Sequence, residues 1–144
     1  MKLSTKSRYG VRAILEIAKN YEKVPTKRKN IVAKQNISDA YLENILIMLK
    51  NNGIIETVRG ARGGYIINRP PSMITLMEIV GALEGSLAPV DCLDNPSLCS
   101  EVQHCPSRKV WKKLYEARRA VLEETTLQDL LDGSESAGKS GYCI

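Results

Sequence analysis

The chain has 144 residues and a mass of 16.0 kDa, room for one domain of ordinary size with a short extension. At 43% hydrophobic and 26% charged it is too apolar to be disordered, and its longest aliphatic run, Ile45 to Leu49, is far too short to cross a bilayer. The net charge of +5 hides a split: residues 1–70 carry 14 Lys and Arg against 5 Asp and Glu, and residues 71–144 carry 7 against 11, so the first half is the one suited to a polyanion.

Ser4 or Thr5 can cap a first helix running to about Tyr21, with Tyr9, Ala13, Ile14, Ile17, Ala18 and Tyr21 on one face. Val24-Pro25-Thr26 breaks it. A short second helix fits Arg28 to Gln35 with Ile31 and Val32 inward, and Asn36-Ile37 makes a tight turn. Ser38 caps a third helix, because its oxygen accepts from free N–H groups of the first turn. Leu42, Ile45, Leu46 and Leu49 form its apolar stripe, and Gly53 stands just past its end. The period then changes. Ile54 to Val58 and Tyr65 to Asn68 are β-prone runs around Arg59-Gly60-Ala61-Arg62-Gly63-Gly64, which reads as a hairpin. Thr75 and Glu78 form a capping-box pair opening a fourth helix to about Glu84. A loop from Gly85 to Pro106 holds three cysteines. Ser107 then opens a long helix to about Thr125, Leu127 to Leu131 forms a short one, and the Gly- and Ser-rich stretch 133–144 is expected to be disordered.

Helix, short helix, turn, helix and hairpin is the order of a winged helix-turn-helix. The expected fold is mainly α with a small β-hairpin wing, followed by a long dimerisation helix. Residues 1–71 would form the DNA-binding domain, and 72–132 the cysteine loop and dimerisation region. In this geometry the third helix presents its polar face to the major groove. Ser38, Tyr41, Glu43 and Asn44 avoid the apolar stripe and are candidates to reach bases or phosphates. Asn44 suits adenine, and Glu43 suits a cytosine amine. Arg59 or Arg62 can enter a narrow minor groove, with Gly60 letting the backbone approach the sugar-phosphate wall. Two other phosphate readings fail. A P-loop needs Lys-Ser/Thr and a helix after its glycines, whereas Gly64 is followed by Tyr65 and a strand. An RNA recognition motif needs aromatics on a sheet, and this chain has no Phe.

Left alone, the long helix would expose Trp111, Leu114 and Val121. Pairing with a second copy would bury them and match a palindromic duplex, which makes a homodimer the expected state. With no signal peptide recognisable at its start, the chain is expected in the cytoplasm. One histidine and no nucleophile–base pair argue against an enzyme with a small-molecule substrate.

Cys92, Cys99 and Cys105 lie in one loop, with six and five residues between them. In a reducing compartment such a cluster suits metal or redox chemistry: an iron–sulfur cluster, zinc with a fourth ligand, or thiol sensing. His104 beside Cys105 is a candidate fourth ligand. A small iron–sulfur electron carrier is a further alternative, though it has no need of a wing with two arginines.

Several segments together resemble the Rrf-type family of bacterial winged-helix regulators. They are Met1 to Gly10, Ile37-Ser38 through Tyr41-Leu42-Glu43, the wing Val58 to Tyr65, Ile74-Thr75-Leu76, Thr125-Thr126-Leu127, the three cysteines and Trp111. The likeness covers about residues 1 to 131 and is greatest to the branch regulating iron–sulfur cluster biogenesis. It implies a homodimer with a 2Fe–2S cluster in each subunit, held by Cys92, Cys99 and Cys105, whose state changes which promoters are bound. It matches Ser38, Tyr41, Glu43, Asn44 and Arg59 to DNA-reading positions. The chain departs from that pattern. Arg108 stands where the branch has its histidine ligand, and Arg8-Tyr9 lacks the aspartate used by the nitric-oxide-sensing branch. Arg28 stands where an apolar residue is usual. The fourth ligand is therefore open among His104, Glu101 and a solvent thiol. A nitric-oxide or cysteine-metabolism regulator on the same fold is the alternative function.

Overall fold

The computed structural model describes residues 2–136. Helix α1 spans Thr5–Ala18, α2 Arg28–Gln35 and α3 Asp39–Asn51. Strands β1, Ile55–Val58, and β2, Gly64–Ile67, follow, then α4, Leu76–Glu84. A one-turn helix α5, Asp91–Asp94, precedes α6, Pro106–Glu124, and α7, Leu127–Ser136. Short 3₁₀ turns cover Pro71–Met73 and Pro96–Leu98.

The expected capping chemistry is present. Ser4 Oγ accepts from the Ser7 N–H, and Ser38 Oγ accepts from the Tyr41 N–H. Thr75 and Glu78 satisfy each other's backbone N–H groups in a full capping box. Asn36 ends α2 in the left-handed region, which asparagine tolerates better than most residues.

β1 and β2 pair antiparallel, with Ile55 opposite Ile67 and Val58 opposite Gly64. Thr26 extends this ribbon by two backbone bonds of 2.9 Å with Tyr65. A second bridge joins Thr75 to Thr126, so the starts of α4 and α7 are tied together.

One apolar core joins α1 to α4, the hairpin and α7. Ile14 and Ile17 of α1, Ile31 of α2 and Leu42, Ile45 and Leu49 of α3 are fully buried. Ile74, Ile79, Leu83 and Leu127 belong to the same cluster, so packing is continuous across residue 71. Helix α4 packs on α1, α3 and α6. Gly10 makes the α1–α4 contact close: a Cβ there would meet Leu83 Cδ1 at 2.2 Å.

Several elements differ from those expected, each strand by one residue. Helix α1 stops at Ala18 rather than near Tyr21. Asn20 and Tyr21 bond to carbonyls three residues back, and Glu22 turns with φ 58°. The cysteine segment is not plain loop, since α5 and a 3₁₀ turn stand within it. Helix α6 starts at Pro106 with Cys105, not Ser107, at the N-cap, because the N–H that proline lacks at the first position is one that a helix start leaves unpaired. Helix α7 runs on to Ser136, so residues 133–136 are helical where disorder was expected. Residues 137–144, including Cys143, lie outside the described residues.

Candidate nucleic-acid interface and cysteine loop

The outward face of α3 is sorted by what already engages each side chain. Asn44 is exposed, and no described side chain bonds to it. Ser38 is exposed and caps its own helix. Its hydroxyl hydrogen is still free to donate to a phosphate. Tyr41 is only half exposed: its ring meets Tyr9 edge-on, with centroids 6.2 Å apart and planes at 88°. Glu43 is half exposed but paired. Arg28 Nη1 lies 2.9 Å from Glu43 Oε1, and Arg28 Nη2 lies 2.9 Å from Asp39 Oδ2.

Behind this face runs a polar chain the sequence reading did not assign. The Arg12 guanidinium stacks 5.4 Å from the Tyr9 ring centroid and donates to Gln35 Oε1 at 2.6 Å. Gln35 donates on to Glu16 at 3.3 Å. Glu16 is buried, and Lys19 and Lys34 meet its two oxygens at 2.8 and 2.9 Å. Burial by itself would raise the Glu16 carboxyl. The hydrogen bonds and charges of the two lysines outweigh it and hold the carboxyl below its ordinary range. The one available signal was Arg12 and Glu16 at i, i+4 on a helix otherwise rich in alanine and isoleucine.

Arg59, Gly60 and Arg62 stand exposed at the hairpin tip. Gly60 has φ 105°, which favours glycine, and its Gly63 N–H to Gly60 O bond of 3.0 Å closes the turn. Gly63 and Gly64 serve internal packing. A Cβ on Gly63 would meet Val58 O at 2.1 Å, and one on Gly64 would meet Thr26 O at 2.6 Å. Asn68 ties the hairpin base to the end of α3 through a 2.9 Å bond to Gly53 O.

The three cysteines are free thiols. Cys92 sits on α5, Cys99 is exposed after the 3₁₀ turn, and Cys105 stands at the N-cap position of α6 without a capping bond from its side chain. The Cys105 thiol is held below its ordinary range by the Ser107 hydroxyl 3.2 Å away, with the Arg108 N–H and charge adding to it. Arg108, at the place of the histidine ligand, instead donates to Cys92 O at 3.4 Å and ties α5 to α6. His104 and Glu101 are exposed, and the His104 N–H bonds to Glu101 O at 3.0 Å. Three thiols are the right donors for an iron–sulfur cluster. Among the described residues, though, no three of His, Cys, Asp or Glu are gathered closely enough to hold a metal ion. The donor chemistry fits and the loop leaves it open.

Helix α6 carries no buried residue. Val110, Trp111 and Val121 are exposed, and Leu114 is half buried. No helix among the described residues is long and apolar enough to cross a membrane.

The comparisons agree with this architecture. The family model described as Rrf2, iron-dependent transcriptional regulator, matches residues 3–133. The HTH-type transcriptional regulator CymR of Bacillus subtilis is 37% identical over 140 residues, 95% of this chain and 96% of that protein. Its solved structure, titled the global cysteine regulator of B. subtilis, superposes with TM-score 0.77 at 36% identity, covering 92% of this chain and 98% of the other. The solved structure of T. potens IscR superposes with TM-score 0.76 at 34% identity, covering 99% and 94%. With a helix-turn-helix, a hairpin wing and this span of similarity, the chain belongs to the Rrf2 family of DNA-binding transcriptional regulators.

Proposed function

We propose that this regulator works in the cytoplasm as a homodimer that senses iron–sulfur status at its cysteine loop and governs genes for cluster assembly. Residues 1–71 read DNA, and residues 72–132 carry the sensor and the pairing helix. One observation carries the reading: three thiols share one loop, with Cys105 held toward thiolate at the head of α6. Cys92, Cys99 and Cys105 would hold a 2Fe–2S cluster, with His104 or Glu101 in reach by sequence of the fourth position. When bound, such a cluster supplies an oxidation state and a lability that report iron and oxidant levels.

The chain's own residues supply the rest. The cysteine loop joins α4 to α6, and α4 packs on both α1 and α3. Glu84 at the end of α4 accepts from the Ser4 N–H at 2.7 Å, so the loop's entry is pinned to the start of α1. Reordering the loop biases this frame between two arrangements, and with it the set of duplexes that α3 accepts. Pairing through Trp111, Leu114 and Val121 places two reading heads on a palindromic operator.

A cysteine-metabolism or redox regulator is the second reading. The ungathered thiols and Arg108 at the histidine position favour it, as does the similarity to CymR. Sequence enrichment from a random duplex library separates DNA reading from loop sensing. Wild-type and Cys92→Ala/Cys99→Ala/Cys105→Ala chains, purified without oxygen, are expected to enrich overlapping but different sets. Identical sets would contradict sensing at this loop.

A further inference from the structure

Two carboxylates face the duplex side of α3. Asp39 and Glu43 are four residues apart on one helix face, where like charges repel. Both are about half exposed, at 55% and 50%. On a surface that must approach phosphates, two unpaired carboxylates would oppose binding of any sequence.

Arg28 answers both at once. It is the first residue of α2, a helix whose N-cap makes no side-chain bond. A cation there meets the positive end of the helix dipole, so its position is unfavourable without anionic neighbours. Its two terminal nitrogens reach one carboxylate each, both at 2.9 Å. A guanidinium is suited to this because its donors are fixed in a plane, which a lysine ammonium does not offer. Isolated surface ion pairs contribute little to folding. A forked contact between two helices acts on orientation instead. It takes up Glu43 Oε1 and leaves Oε2 to a base edge.

We propose that Arg28 is a positioning residue for sequence selection, holding Glu43 in one orientation and cancelling the acidic pair so that α3 can approach phosphate. It rests on α3 being the reading helix. A cytosine amine opposite Glu43 then meets an acceptor already oriented, and a base without an amine meets a carboxylate whose charge is offset. Arg28 thereby sets how strongly Glu43 discriminates.

The test uses the full chain and the duplex that the wild type enriches most from a random library. Arg28→Leu is expected to weaken binding about tenfold and to sharpen the penalty for replacing the cytosine opposite Glu43. Adding Asp39→Asn and Glu43→Gln should restore most of that affinity. Arg28→Lys, which keeps charge and fold but loses the fork, should bind nearly as well as wild type with altered discrimination. Circular dichroism of each variant confirms the helices. If Arg28→Leu weakens binding by the same factor with and without the two carboxylates, Arg28 is only a phosphate contact and the proposal fails. If the wild type enriches no duplex, the reading helix itself fails, and this assignment goes with it.

Discussion

Tyr9 of α1 meets Tyr41 of α3 edge to face, 6.2 Å between centroids, and so joins the first helix to the third. Arg12 covers the Tyr9 ring. Tyr41 is therefore placed by α1 as much as by its own helix. Tyr9→Leu keeps apolar bulk but loses the ring geometry. It is expected to cost about 0.5–1.5 kcal/mol of stability and to weaken operator binding severalfold. Chemical denaturation and fluorescence anisotropy check the two effects. Weakened stability with unchanged DNA binding would mean that Tyr41 does not need its partner.

Glu16 makes stability depend on pH. Its folded carboxyl is lowered by Lys19 and Lys34 against the opposing effect of burial. Its contribution is thus fully present above its unfolded value, about 4.3, and is lost as pH falls through the lower folded value. Glu78, lowered by the Thr75 N–H and Arg69 despite its own burial, acts in the same direction. Glu16→Gln should reduce stability at neutral pH by about 1–2 kcal/mol and flatten the acid limb of a melting-temperature profile. An unchanged limb would place the acid sensitivity elsewhere.

The wing is docked through Gly64, where an added Cβ would strike the Thr26 backbone. Gly64→Ala should break the Thr26–Tyr65 bridge and cost about 1–3 kcal/mol. Backbone amide exchange at Thr26 and Tyr65 would then rise together. Protection retained at both would show that the ribbon absorbs the methyl.

Exposed apolar side chains on α6 give the proposed pairing a direct test. Trp111→Ser with Val121→Ser should convert a dimer to a monomer in sedimentation analysis while helicity stays near wild type. A wild-type monomer, or a dimer that survives both changes, would contradict pairing through this stripe.

Most of the helical frame was legible because its signals are local. The stripe of Leu42, Ile45, Leu46 and Leu49, the Ser38 cap and the Thr75–Glu78 box each act within one or two turns, and all stand as read. What was not legible depends on contacts between elements. Arg28 looked only like an odd residue in a short helix, because its partners lie on α3. Arg12, Glu16 and Gln35 join across α1 and α2, and the i, i+4 spacing of Arg12 and Glu16 says nothing of Gln35 on the other helix. Gly60 read as an opening toward DNA, but the sequence does not show that Gly63 and Gly64 are required by close backbone neighbours within the chain. The cysteine loop showed its donors by spacing, but spacing carries no information on whether the backbone gathers them.

Purification without oxygen, followed by a visible absorption spectrum with iron and sulfide analysis, tests the sensor most directly. A coloured protein with iron and sulfide in equal amounts is expected, both lost when Cys92, Cys99 and Cys105 are replaced by alanine. A colourless protein that binds zinc stoichiometrically would contradict it.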